Sequence, residues 1–112
     1  MNSTIKNILD ELIENIRNIY GEKLKEIVLY GSYAKGLEDE ESDIDIMVLL
    51  NLDDNEIRSY NKKLIEIIND ISYKSMKVIS LVDMSYDKFI NWVNVVPFYK
   101  NVLNEGVVLY GR

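Results

Sequence analysis

Cysteine and histidine are both absent from this chain of 112 residues. Their absence excludes a disulfide framework, a thiolate zinc site, and an imidazole acting as ligand or general base. Any metal here must be held by oxygen atoms, which favours Mg²⁺ or Mn²⁺ over zinc. Proline occurs once, as Pro97, and glycine five times. There is no Pro/Gly-rich linker, repeat or low-complexity tract, so a single domain spanning residues 1–112 is expected. Long apolar runs are missing too. The longest uninterrupted one, residues 46–50, is far short of a membrane span. The start, Met1-Asn2-Ser3-Thr4, enters a charged helical pattern without a secretory leader, so the expected location is cytoplasmic. Positive charge is sparse: 13 Lys and Arg against 19 Asp and Glu give a net charge of −6. Lys23 with Lys25, and Lys62 with Lys63, are scattered, solvated positions, which argues against nucleic acid as the main substrate.

The apolar residues that are present have a clear period. Ile5, Ile8, Leu9, Leu12, Ile13, Ile16 and Ile19 recur at helical spacing, with Ser3 as expected N-cap and Gly21 as stop. Residues 26–30 and 44–50 are short apolar runs that suit strands. Asp53 with Glu56 resembles a capping box opening a helix to about Ser72, whose apolar face is Ile57, Tyr60, Leu64, Ile67, Ile68 and Ile71. Residues 76–82, apolar on both faces, suit an interior third strand. A short helix over 86–95, a last helix opened by Pro97 and ended by Gly106, and an edge strand over 107–110 complete the pattern. The expected class is α/β (α+β), a small mixed sheet covered by helices. The eight tyrosines are expected as core or rim residues and Trp92 and Phe98 as core, with an exposed cluster at 89–99 as the alternative, a surface for a partner protein.

Between the first two strands stand Gly31-Ser32 and, ten residues on, Asp43-Ile44-Asp45. Successive strand side chains alternate faces, so Asp43 and Asp45 project the same way, about 7 Å apart along the chain. Two such carboxylates converge on a hard cation, and a Gly-Ser turn offers backbone N–H groups to phosphate oxygens. The combination reads as a site for a metal-bound nucleotide. The acidic loop Glu38-Asp39-Glu40-Glu41 reads instead as solvated surface.

Gly31-Ser32-Tyr33-Ala34-Lys35-Gly36 followed by Ser42-Asp43-Ile44-Asp45-Ile46 resembles the signature of the DNA polymerase β-type nucleotidyltransferase superfamily. Size and element order resemble its minimal nucleotidyltransferases, stand-alone domains paired as antitoxins with helical HEPN toxins. The closing stretch Glu105 to Gly111 is similar too. The resemblance implies a nucleotidyltransferase fold with Gly31, Ser32 and Lys35 binding the triphosphate of ATP. It implies Asp43 and Asp45 as catalytic residues and ligands of Mg²⁺ (or Mn²⁺), and transfer of AMP to a hydroxyl, a tyrosine on a HEPN-type partner. Catalysing relatives bring a third carboxylate from the next core strand. Alignment puts Ser80 there, while Asp83 falls on the opposite face by simple alternation, so the third ligand stays open between Asp83 and Ser80. Two alternatives follow: a nucleotidyltransferase-fold module that neutralises a partner stoichiometrically without efficient turnover, and a small-molecule nucleotidyltransferase of the aminoglycoside-modifying kind.

Overall fold

The computed structural model describes residues 2–111. The first helix, α1 (Ser3–Tyr20), buries its helical stripe Ile5, Ile8, Leu9, Leu12, Ile16 and Tyr20. Its N-cap is Asn2 rather than Ser3, because the extended Asn2 places its side-chain oxygen 2.9 Å from the Ile5 N–H and the helix starts one residue early. Gly21, at φ 55, closes the helix and donates its N–H to the Arg17 carbonyl. A single 3-10 turn, Gly21–Lys23, then leads into β1 (Leu24–Tyr30).

After β1 the four-residue helix α2 (Ser32–Lys35) and a loop return the chain as β2 (Ile44–Leu50), antiparallel to β1 with Tyr30 opposite Asp45. The long helix α3 (Asp54–Ser75) opens on the expected capping box, with Asp53 accepting from the Glu56 N–H and Glu56 accepting from the Asp53 N–H. It crosses to β3 (Ile79–Ser85), which runs parallel to β2. Helices α4 (Tyr86–Trp92) and α5 (Pro97–Glu105) follow, and β4 (Val107–Tyr110) pairs antiparallel with β1. The sheet order is β3-β2-β1-β4, so β4 is an edge strand as expected.

The third strand departs from the sequence reading. It begins at Ile79, not Met76, and it is an edge rather than interior. Helix α3 runs three residues past its expected end, and Met76 takes a left-handed turn at φ 55, so residues 76–78 are spent on the connection. Leu81 and Val82 are only partly buried, the mark of a strand flanked on one side.

Alternation along the strands divides the apolar residues between two cores. Ile27, Leu29, Ile44, Ile46, Val48 and Leu50 pack beneath α1 and α3. Val28, Met47, Leu49 and Met84 pack on the other side against Phe89 of α4 and Val102 of α5. A one-residue slip would exchange the faces of a whole strand, so two filled cores fix the register that positions the polar strand ends. No helix among the described residues is long and apolar enough to cross a membrane.

Candidate functional site

The end of β1 and the start of β2 meet at the same end of the sheet. Asp45 precedes Met47 by two residues and so shares its face, the one covered by α4 and α5. Asp43 stands immediately before β2 and is exposed, whereas Asp45 is half-buried and feels the Asp43 charge. Gly31 explains why a glycine stands at the turn. Its backbone has φ 72 and ψ −152, and a Cβ built there would lie 2.2 Å from Asp45 Oδ2. The Asp45 carboxylate therefore rests directly against the turn backbone. Ser32 opens α2, and the first N–H groups of any helix lack an intrahelical acceptor. Gly31, Ser32, Asp43 and Asp45 are thus brought together as the spacing predicts.

Lys35 occupies the last turn of α2, but its ammonium pairs with Glu105 Oε2 at 3.0 Å, both side chains half-exposed. The sequence carried no signal for that partner, which arrives from the far end of the chain. Tyr30 was also missed. It stands opposite Asp45 in the antiparallel register, and its ring meets Phe98 edge-on with centroids 5.4 Å apart. Counting back from Gly31 along alternating faces would have found it. Trp92 and Phe98, expected in the core, are 51% and 40% exposed, and Phe89 fills the core position instead.

Ser80 lies in parallel register with Asp45 and therefore beside it on the same face. Asp83 aligns with Val48, whose face is that of α1 and α3, among Leu64, Ile68 and Leu81. No bulge brings it round, so of the two residues it is Ser80, not Asp83, that lies beside Asp45 in the strand register. Burial pushes the Asp83 carboxyl above its ordinary range, against the opposing effect of a backbone hydrogen bond, and its Oδ2 has no hydrogen-bond partner. Tyr20 faces it from α1, its hydroxyl likewise unpartnered and its ionisation pushed up by burial and by Asp83.

The electrostatics at the pair suit a cation. Burial, then the like charge of Asp43, raises the Asp45 carboxyl above its ordinary value. Burial and the Asp45 charge likewise raise the Tyr30 hydroxyl. Among the described residues no Lys or Arg forms an ion pair with either aspartate. No cluster of three metal-ligating side chains exists among them either. Two uncompensated carboxylates fit Mg²⁺, which is commonly held by one or two carboxylates and completed by substrate phosphates and water.

A mixed sheet whose Gly-Ser turn opposes a two-carboxylate strand start is the layout of a nucleotidyltransferase domain. The nucleotidyltransferase domain family matches residues 7–109, and the chain belongs to it. Two Methanocaldococcus jannaschii proteins, both named "Putative protein adenylyltransferase", are similar along nearly their whole length. One is 34% identical over 105 residues, covering 91% of this chain and 94% of that one. The other is 36% identical over 107 residues, covering 95% and 94%. Among solved structures, a toxin–antitoxin crystal structure with AMP-PNP aligns at TM-score 0.62 and 25% identity, covering 93% of this chain and 73% of that one. The chain is a nucleotidyltransferase with the fold of that family.

Proposed function

We propose that this chain transfers AMP from ATP to a hydroxyl, a tyrosine on a HEPN-type toxin partner, and so acts as a cytoplasmic antitoxin. The observation that carries the reading is the Asp45 carboxylate set against the Gly31 turn, with the charge of Asp43 beside it. The protein adenylyltransferase names of the relatives support the reaction, and the toxin–antitoxin neighbour supports the partner class.

In this reading Gly31 lets the triphosphate approach the turn backbone, and Ser32 offers its hydroxyl and N–H to phosphate oxygens. Asp43 and Asp45 hold Mg²⁺, which supplies charge neutralisation of the triphosphate and polarisation at the α-phosphorus. The acceptor oxygen attacks the α-phosphorus, the bond to pyrophosphate breaks, and the acceptor proton passes to solvent. Positioning and charge stabilisation then supply most of the acceleration. Lys35 reaches phosphate only by leaving Glu105, an exchange within range because both groups are half in water.

Ser80 favours a second reading: neutralisation by stoichiometric binding, with little turnover. A hydroxyl is a neutral ligand and does not replace a carboxylate's charge. Mass spectrometry of the co-expressed partner separates the two. An adenylyl adduct that vanishes in the Asp43→Ala/Asp45→Ala variant supports transfer. Neutralisation that persists in that variant, without an adduct, supports binding alone.

A further inference from the structure

A cavity of about 310 Å³ lies between α3 and β3, on the face of the sheet opposite to that of Asp45. Leu64, Ile65 and Ile68 of α3 line one side of it, and Leu81 of β3 lines the other. Asp83 follows Leu81 by two residues on the same side of the strand, so a carboxyl ends this apolar wall. The Asn61 amide lines the same cavity. A buried carboxyl ordinarily has a cation or hydrogen-bond donors around it. The Oδ2 of Asp83 is buried without a hydrogen-bond partner, and none of the ion pairs among the described residues reaches the side chain. Lys88, which shares a neighbouring cleft with Asp83, pairs with Asp54 instead. The Tyr20 hydroxyl is itself unpartnered, so it is not the missing donor.

An apolar slot that ends on a carboxyl and an amide matches one side chain in particular. Lysine lays a four-carbon stem along apolar surface and carries three N–H donors and a positive charge at its head. The strand beside the slot indicates what would carry that lysine. β3 is an edge, so its outer N–H and C=O groups have no strand partner and suit an added extended segment. Ile65 on α3 and Val78, just before β3, are 56% and 60% exposed and offer such a segment apolar contact.

We propose that the β3 edge receives an extended segment of a partner protein, which pairs with β3 and inserts a lysine between α3 and β3 onto Asp83. The site lies on the opposite face of the sheet from Asp45, so recognition here goes beyond nucleotidyl transfer and does not depend on nucleotide. It gives Asp83 a role as the charge partner of the incoming lysine.

The test uses the full chain and a labelled, capped heptapeptide of alternating valine and threonine with lysine at its centre, read by fluorescence anisotropy. A second peptide carries norleucine in place of lysine, which keeps the stem and lacks the ammonium. Free n-butylammonium supplies the side chain without the strand. The lysine peptide is expected to bind about tenfold or more tightly than the norleucine peptide. Asp83→Asn is expected to erase that difference and leave the norleucine peptide unchanged, which a folding defect would not do. Ile65→Ser, at an exposed position, is expected to weaken both peptides alike. The β3 amides are expected to exchange more slowly with the lysine peptide bound, and butylammonium to compete only at far higher concentration. No binding of the lysine peptide, or a preference for it that survives Asp83→Asn, would overturn the proposal. So would unprotected β3 amides, competition by butylammonium at equal concentration, or peptide binding indifferent to Ile65→Ser.

Discussion

Replacing Gly31 by alanine perturbs the backbone and the carboxylate site at once, and the two effects are separable. The Gly31 backbone, at φ 72 and ψ −152, lies where an L-residue is strained by about 1–3 kcal/mol. The added methyl would also meet Asp45 Oδ2 at 2.2 Å and Cγ at 3.1 Å, inside the roughly 3.5–4.0 Å at which atoms gain from contact. Either the Asp45 side chain withdraws or the ends of β1 and β2 separate. In an Asp45→Ala background the colliding atoms are gone and only the backbone strain remains. Urea unfolding of the wild type, both single variants and the double variant therefore forms a cycle. A coupling of about 1 kcal/mol or more between the two sites is expected. Gly31→Ala alone should also lose Mn²⁺ binding. Additivity within about 0.5 kcal/mol, with Mn²⁺ binding intact, would refute the contact.

Asp83→Asn removes a carboxyl whose protonated form the fold favours. Because its folded pKa is raised, the stability it contributes is present at acid pH and lost as pH rises through the folded value. The variant should thus exceed the wild type by about 1 kcal/mol near neutrality and lose that advantage in acid, read from unfolding midpoints across pH; a gap independent of pH would count against the buried placement. Ser80→Asp sets a third carboxylate beside Asp45, so Mn²⁺ affinity and any adenylyl transfer should rise while metal-free stability falls; unchanged affinity would mean that residue 80 does not face the pair. Glu105→Gln frees Lys35 at a stability change within about 1 kcal/mol, the range for an exposed pair. It should tighten tripolyphosphate binding, and no change would remove Lys35 from the phosphate site.

Much of this was legible in the sequence because strand alternation and helical spacing are local. The face of Asp45, the stripe of α1 and the capping box at Asp53 all follow from residues a few positions apart. What was not legible depends on distant chain. The sheet order makes β3 an edge, although its apolar composition suits an interior strand equally well. Glu105 reaches Lys35 across seventy residues of sequence, and Phe98 reaches Tyr30 across a similar span. Ser80 falls in register with Asp45, and that Asp83 faces α3 follows from plain alternation in a strand free of a bulge there.

The most direct test of nucleotidyl transfer uses ATP labelled at the α-phosphorus, in parallel with ATP labelled at the γ-phosphorus. The chain, its co-purified partner and Mg²⁺ are incubated with each. Label from the α-position on the partner, none from the γ-position, and none with the Asp43→Ala/Asp45→Ala variant is the expected result. Label from the γ-position, or α-label that survives loss of both carboxylates, would contradict it.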